Sequence, residues 1–487
     1  MSNTVNKNQS NLDAALFRLN LDRSSHMSLQ AQLISALRTL LNETQAPSGL
    51  RLPSSRVLSL ELSVSRTTVV GAYDQLISEG YLHTKMGGGT YVADQIPHLA
   101  PPVRTSNDRP EPLQAWVPFQ SGIPDQSLFP HRLWSRHIEK AWAKPDSALL
   151  GKPDPFGWYP LRQAISNHLS AWRELDCRPE QVLVTSGASE AFEIIFRGVH
   201  RSDAHAAIED PGWHTLRHVL GSLGAQVQPI RIDEHGFDAD KITGAASVAI
   251  VTPSRHYPTG ISMPMPRRTA LLAWAARANA LIIEDDYDSE FRYQGHPLPS
   301  LAGLDGLKRS IYLGSFSKLL SPALRLGYLV LPDALISSAQ DYLAQFGSRA
   351  SLVPQPALAT FMESGEFAVH LRRMRRTYAR RQAHLIAELQ ESASLINVAP
   401  DPSGMHICAS LLPSLRHHAT DKLISNTARE KGLHVKALSS HCILPDPPQG
   451  LVLGYAAFDE MIISTAAHKL NQLLTELAKA NGSNARG

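Results

Sequence analysis

The chain has 487 residues, too many for one ordinary domain and enough for two or three units. Hydrophobic residues make up 43% and charged residues 19%, with no biased tract and no 20–50-residue repeat, which argues against a disordered, fibrous or solenoid chain. A net charge of +3 permits nucleic acid as a partner without arguing for it. Three cysteines without paired spacing (Cys177, Cys408, Cys442) point to a reducing compartment and no disulfide framework. The polar start, Met1 to Asn11, has no leader-like apolar core, and runs such as Ala280 to Ile283 are far too short to span a membrane. The expectation is therefore a cytoplasmic protein.

Residues 1–27 read as a polar tail with one short amphipathic patch (Leu12, Ala15, Leu16, Leu19). Residues 28–94 are compact and punctuated by turns. A first helix is expected from Ser28 to Asn42, with Leu29, Leu33, Ile34, Leu37 and Leu41 on one stripe. Pro53 and Ser54 or Ser55 start a second, with Leu58 and Leu62 on its buried side. After the tight turn Leu62-Ser63-Val64, Ser65 caps a third helix that runs to Glu79 and stops at Gly80. Tyr81-Leu82 and Thr90-Tyr91-Val92 then form a hairpin around Gly87-Gly88-Gly89. Five prolines between 95 and 117 read as a semi-stiff linker. From 118 to 480, β-rich runs (Gln181–Thr185, Ala206–Glu209, Ser247–Thr252, Leu281–Glu284, Ser310–Leu313) alternate with helical patterns, the signature of a mainly parallel α/β sheet covered on both faces. A C-terminal tail, 481–487, follows.

Three helices and a hairpin are the parts of a winged helix-turn-helix, whose third helix enters the major groove by its N-terminal end. That end is Ser65, Arg66, Thr67 and Thr68. An arginine there can pair bidentately with guanine, and hydroxyls suit phosphate oxygens. Arg51, Arg56, the wing's Lys85 and Gly88 are further candidates for backbone contacts. The 28–94 stretch holds five Lys/Arg and five Asp/Glu, so the case rests on placement rather than bulk charge. The pattern alone also fits a small helical protein-interaction module.

In the long C-terminal part, Lys318 in Gly314-Ser315-Phe316-Ser317-Lys318 follows a strand, so its amine emerges where open α/β sheets bind ligands. With Ser315, Ser317 and Arg325 to hold a phosphate, that lysine suits a Schiff base with an aldehyde cofactor. Leu281-Ile282-Ile283 runs into Glu284-Asp285-Asp286-Tyr287, where Asp285 can face a protonated ring nitrogen and Tyr287 a phenolic oxygen. An acidic surface loop is the plainer reading; no histidine sits at metal-ligand spacing, so no metal is expected. Ala188 and Ser189 begin a helix after a strand and can present backbone N–H groups to phosphate. Trp213 can stack on a ring or simply pack in the core. Tyr257 lies in Thr252-Pro253-Ser254-Arg255-His256-Tyr257-Pro258-Thr259-Gly260, a loop at another strand end.

Leu52-Pro53-Ser54-Ser55-Arg56, Val64-Ser65-Arg66-Thr67-Thr68-Val69, Leu76 to Leu82 and Gly87 to Val92 together resemble the GntR type of DNA-binding domain. The C-terminal blocks, taken in order with Phe119 to Asp125, resemble fold-type I aminotransferases, and the whole chain resembles the MocR subfamily of GntR-type regulators. The resemblance implies an α/β fold with a winged helix-turn-helix, a large aminotransferase-like domain and a smaller C-terminal α+β subdomain. It implies pyridoxal 5'-phosphate on Lys318, ring-nitrogen pairing by Asp285, a phenol contact from Tyr287, and phosphate contacts from Ala188, Ser189, Ser315, Ser317 and Arg325. It further implies a head-to-tail, domain-swapped homodimer on double-stranded DNA with repeated half-sites, nucleoid-associated when bound.

Three departures bear on the small-molecule effector. Val452 stands where aminotransferases place a carboxylate-gripping arginine, and Thr215 where the GABA-responsive relative has another. Lys152 replaces a tyrosine that reaches the partner subunit's cofactor phosphate, and Arg255 replaces a histidine; Arg255 is a candidate anion anchor for the effector or, alternatively, pairs with a local carboxylate. The arginine-rich run from His370 to Arg381 reads as a solvated or dimer-facing helix, with a second DNA-contacting face as the alternative. The leading reading is a regulator that uses the aminotransferase-like domain as an amine sensor, not an enzyme. A sensor of pyridoxal phosphate itself, tied to vitamin B6 metabolism, and a working aminotransferase with an appended DNA reader stay open.

Overall fold

A computed structural model describes residues 16, 19–25, 27–43, 48–85, 88–94, 116–145, 147–200, 205–399 and 401–480. Most of the expected N-terminal tail, the expected linker up to residue 115, Gly87 of the hairpin tip and the tail 481–487 lie outside the described residues. The chain forms two compact units, residues 1–113 and 114–487.

In the first unit, α1 (Leu29–Glu43) turns Leu33, Leu37 and Leu41 inward, as the apolar stripe requires. Two short helices follow, α2 (Ser55–Glu61) and α3 (Arg66–Ser78), and each begins at a serine whose hydroxyl accepts a first-turn N–H. Ser54 accepts from Val57 at 3.3 Å and Ser65 from Thr68 at 3.1 Å. The turn between them needs a left-handed residue, and Ser63 takes it at φ 52°. Leu58, Val69, Ala72 and Leu76 close over α1, and a bidentate Arg38–Glu79 pair ties α1 to the end of α3. Strands β1 (Leu82–Lys85) and β2 (Gly89–Val92) pair antiparallel with Leu82 opposite Val92, and Tyr81 and Val92 seal the core.

The second unit is built on a seven-stranded sheet: β3 (Val182–Thr185), β4 (His205–Asp210), β5 (Gln226–Arg231), β6 (Val248–Val251), β7 (Leu281–Asp286), β8 (Ser310–Ser315) and β9 (Gly327–Val330), in the order β3-β9-β8-β7-β6-β4-β5. Only β9 runs against its neighbours. Side chains alternate across the sheet, so Val182, Val184, Tyr312 and Tyr328 join one core with Leu161, Ile165 and Leu169. Leu183, Ile311, Leu313 and Leu329 join another with Phe192, Ile208 and Ile250. The strand runs expected from sequence are all present; β5 and β9 were not among them. A smaller antiparallel sheet, β10 (Ile396–Val398), β11 (His406–Leu411), β12 (Lys436–Ala437) and β13 (Gly450–Gly454), has the order β10-β11-β13-β12 and packs with the helices Glu366–Glu388 and Glu460–Ala480.

Alternation also sorts the acids at the end of β7. Glu284 and Asp286 face one way and meet the fully enclosed Arg173, at 3.6 and 2.9 Å; Tyr312 of β8 donates to Asp286 at 2.6 Å. Asp285 faces the other way. In the basic helix, Arg381 is buried against Asp125 at 2.7 Å and Arg375 lies over Trp172, while Arg372, Arg373 and Arg376 are exposed. The run thus keeps an exposed basic face, as a solvated or dimer-facing helix requires, while Arg375 and Arg381 turn inward.

The reading of Arg255 as an anion anchor is corrected. Arg255 is 2% exposed and joins the loop after β6 to the smaller sheet. Its guanidinium donates to Asp401 at 2.6 and 3.0 Å, Asp288 at 3.2 Å, Tyr287 at 3.0 Å and the His406 carbonyl at 2.7 Å. Burial works against its charge, but Tyr287, Asp401 and Asp288 hold the guanidinium well above the ordinary arginine range. No edge is left for an effector anion, so Arg255 is a structural clamp rather than an anchor. Arg255→Ala strands two buried carboxylates and should destabilise the full chain by about 3–5 kcal/mol, read as a fall in the denaturation midpoint of the C-terminal unit. Leu37→Ala should destabilise the N-terminal unit by about 3 kcal/mol and Ser65→Ala by about 1 kcal/mol, both read from hydrogen exchange of α1–α3 amides.

Candidate functional site

The carboxyl ends of β4, β6 and β7 open on a narrow cleft whose wall includes Trp213, Glu209, Thr252, Asp285 and His441. Three local devices shape it. Asp210, ending β4, accepts backbone N–H groups of Ile443 and Leu444 at 2.6 and 3.2 Å, and Gly212 donates to the His441 carbonyl at 3.0 Å. These bonds zip a loop of the smaller sheet's domain onto the end of β4 and hang His441 over the opening. Gly212 lies so close to the Glu209 carbonyl that a Cβ would come within 2.4 Å of it, so only glycine fits. Thr252 donates to Glu209 through its N–H and its hydroxyl, the latter at 2.6 Å; burial outweighs those bonds and raises the Glu209 carboxyl to about 8.

Asp285 is the floor of this cleft. Its carboxyl makes no hydrogen bond or ion pair among the described residues. Burial, and then the neighbouring Asp286, push it up to about 7, with Lys318 pulling the other way. Lys318 lies in the short helix Phe316–Leu319 that follows β8 and donates to the Gly122 carbonyl at 2.5 Å. Burial lowers its amine from the ordinary lysine value against the pull of Asp288. Tyr287 and Tyr257 stand behind, edge to face at 5.8 Å. Tyr257 also meets the rings of His406 and His441, each at 5.4 Å, and Tyr287 accepts from Arg255.

At the same sheet edge, pairing sets Gly327 opposite both Thr185 and Ser315. That register gathers three groups. The helix Ala188–Glu193 starts after Gly187, whose φ of 127° suits glycine, and Ser189 at its first turn is exposed. Ser315 caps the Lys318 helix by accepting from the Ser317 N–H at 3.2 Å. Arg325 is left-handed at φ 51°, exposed, and without a side-chain partner among the described residues. Lys152 is exposed and equally unpartnered among the described residues; one chain brings it to none of these groups through a hydrogen bond or ion pair. Sequence reasoning missed Glu209 and Thr252, although both lie in motifs it quoted, and it missed His441, for which no local signal exists.

In the N-terminal unit, Arg66 and Thr67 stand exposed at the start of α3, while Ser65 is occupied as its cap and also meets the hydroxyls of Thr67 and Thr68 at 2.8 and 2.7 Å. Arg66 reaches back to Ser55 at 3.4 Å; Arg56 is exposed on α2. Arg51 lies along β2, Lys85 sits over the Tyr91 ring, and Gly88 marks the hairpin tip. Among the described residues no group of His, Cys, Asp and Glu is arranged to hold a metal, and no helix is long and apolar enough to cross a membrane.

Two protein-family models match: bacterial regulatory proteins of the gntR family over residues 29–92, and aminotransferase class I and II over 117–469. The probable rhizopine catabolism regulatory protein MocR of Rhizobium meliloti is 33% identical, across 94% of this chain and 96% of its own length. The pyridoxine biosynthesis transcriptional regulator PdxR of Corynebacterium glutamicum is 35% identical across 89% and 93%, and the regulator TauR of Rhodobacter capsulatus 30% across 71% and 76%. Among solved structures, the α-aminoadipate aminotransferase LysN of Thermus thermophilus, complexed with N-(5'-phosphopyridoxyl)-L-leucine, matches with a TM-score of 0.66 at 24% identity, over 75% of this chain and 93% of that one. Kynurenine aminotransferase of Pyrococcus horikoshii matches with a TM-score of 0.66 at 22%, over 74% and 91%, and both likenesses bear on the fold alone. With a gntR-type reader followed by an aminotransferase class I and II domain, and with full-length likeness to MocR and PdxR, the chain belongs to the MocR-type family of helix-turn-helix transcriptional regulators.

Proposed function

We propose that this regulator holds pyridoxal 5'-phosphate in the cleft and uses it to sense a small amine, which shifts the grip of a head-to-tail, domain-swapped dimer on repeated DNA half-sites in the cytoplasm. The observation that carries the reading is the meeting, at one sheet edge, of a buried amine held only by a carbonyl, Lys318, and a cleft-floor carboxyl without a partner, Asp285. Such a carboxyl wants a cation or a protonated ring nitrogen, and the cofactor's pyridine offers the latter. The phosphate would be held by backbone N–H groups at Ala188 and Ser189 and by Ser315, Ser317 and Arg325, with Lys152 reaching across from a second copy. Bound there, pyridoxal phosphate supplies an aldehyde that condenses reversibly with primary amines.

The chain's own residues support that exchange. Burial keeps the Lys318 amine easier to deprotonate and so more nucleophilic. Trp213 offers a flat wall beside the ring, and Tyr287, fixed by Arg255, presents its hydroxyl with Tyr257 behind it. For DNA, Arg66 and Thr67 lead α3 into the major groove, with Thr68 and Ser65 at the helix start and Arg51, Arg56, Lys85 and Gly88 along the flanking backbone. The division proposed is an arm 1–27, a reader 28–94, a linker 95–117, a sensor 118–480 and a tail 481–487. The likeness to PdxR favours a second reading, in which cofactor supply itself is the signal.

The test is binding of the full chain to DNA upstream of its own gene, with and without cofactor and primary amines. Lys318→Ala should lose the absorbance of a lysine-bound cofactor and any amine-dependent change in DNA affinity. If cofactor and Lys318→Ala leave DNA binding unaltered, the sensor reading fails; if cofactor alone changes it and no amine does, the second reading replaces it. Arg66→Ala should weaken specific binding by about tenfold in the same assay. The raised Asp285 value gives a pH signature in the cofactor-free chain. Its ordinary value is about 3.9 and its folded value about 7, so its contribution to stability is full in acid and is lost as pH rises through about 7. Asp285→Asn should therefore gain in melting temperature over the parent between pH 5 and 8, and cofactor binding should be weakened by the same substitution.

A further inference from the structure

Beyond the loop that carries His441 lies a second, open cavity of about 390 Å³, which shares His214, Ser440 and His441 with the cleft wall. Its charged lining is Lys436 on β12 and, from one face of the helix Asp421–Glu430, Lys422 and Arg429. No aspartate or glutamate lines it among the described residues. Lys436 is half-buried and makes no hydrogen bond or ion pair with any described residue. Withdrawing an ammonium from water without an acceptor is unfavourable, and burial lowers its proton affinity accordingly. Two imidazoles of the lining, His434 and His441, each carry a buried ring nitrogen, Nδ1 and Nε2, without a partner among the described residues. His441 Nδ1 faces the Gly212 carbonyl at 3.2 Å, which places its proton there and leaves Nε2 as a buried lone pair.

Strand register explains why the cation is here. Lys436 pairs directly with Val452, and directly opposite residues of an antiparallel pair project from the same face. Val452 is apolar and fully buried, so the charge on this face comes from Lys436 alone of the pair. Arg255 shows the contrast: that cation already has two carboxylates, whereas Lys436 has none.

We propose that this cavity is the subsite for the anionic group of the effector, a carboxylate, sulfonate or phosphate, with Lys436 as its principal contact. Lys422 and Arg429 draw the anion in, and His434 can add an N–H. The effector's nitrogen then lies toward the cleft. The effector's amine rests on the sensor reading above; the anion subsite does not.

Calorimetric titration of the full chain with inorganic sulfate tests it, because sulfate needs neither cofactor nor amine. Two sites are expected, one lost in Arg325→Ala and one belonging to Lys436. Lys436→Met and Lys436→Gln should weaken the second by about tenfold or more, Lys436→Arg should retain it, and none of the three should melt below the parent. A parent-like titration in both neutral variants overturns the proposal. Lys318→Ala keeps the two readings apart: it should leave the Lys436 sulfate site intact, so cofactor absorbance can fail while the anion site stands, and the reverse.

Discussion

Arg173 lies sealed beneath β7, and its two carboxylate partners fix what the cleft on the other side of the sheet can be. Three consecutive acids, Glu284, Asp285 and Asp286, end that strand. In a pleated strand the first and third must share a face, so a single guanidinium can meet both, while Tyr312 and Ser289 donate to Asp286 and the Ala302 N–H to Glu284. A buried ion pair of this kind contributes little net stability when intact but is costly to break, because any partner left alone remains a buried charge. The strand end is therefore held rigidly, and the middle acid is directed into the cleft with no cation of its own. Its raised pKa is a consequence of that arrangement.

The same rule distinguishes the other buried charges. Arg255 is enclosed and fully matched, so it fastens the loop after β6 to the smaller domain and holds Tyr287 in place. Lys318 has one carbonyl, and the half-buried Lys436 has no partner among the described residues. Charge that is satisfied internally stabilises geometry; charge that is not satisfied marks where something from outside completes the balance. Residues of one chemical type thus divide into clamp and contact through their neighbours, not through their identity.

Much of the architecture was legible in the chain. Serine caps at Ser54 and Ser65 and the stripe Leu33, Leu37, Leu41 place α1–α3 to within a residue or two, since capping and amphipathic spacing are local physics. The apolar runs that became β3, β4, β6, β7 and β8 were equally plain because strands buried on both faces are apolar throughout. β9 and β5 were less so: β9 follows directly on the Lys318 turn, and β5, at the sheet edge, mixes Gln226, Gln228 and Pro229 among its apolar residues. Lys318 and Asp285 stood out because one follows a strand and the other ends one. His441 and Lys436 did not, since His441 reaches the cleft only through the loop zipped to Asp210 and Lys436 reaches the second cavity only through the pairing of β12 with β13.

The sequence by itself determined the two-part plan, the helix that leads with Arg66, and the lysine and aspartate at the sheet edge, because each of these follows from residues near one another along the chain. Tertiary structure decided what each charge is for. Arg255 read as an anion anchor or as the partner of a carboxylate, and residues more than thirty and a hundred and forty positions away, Asp288 and Asp401, decide for the second. Lys436 looked like nothing until the cavity around it was seen to hold no acid among the described residues. Burial and pairing of charge are long-range properties, set by which strands lie side by side, and no local pattern encodes them.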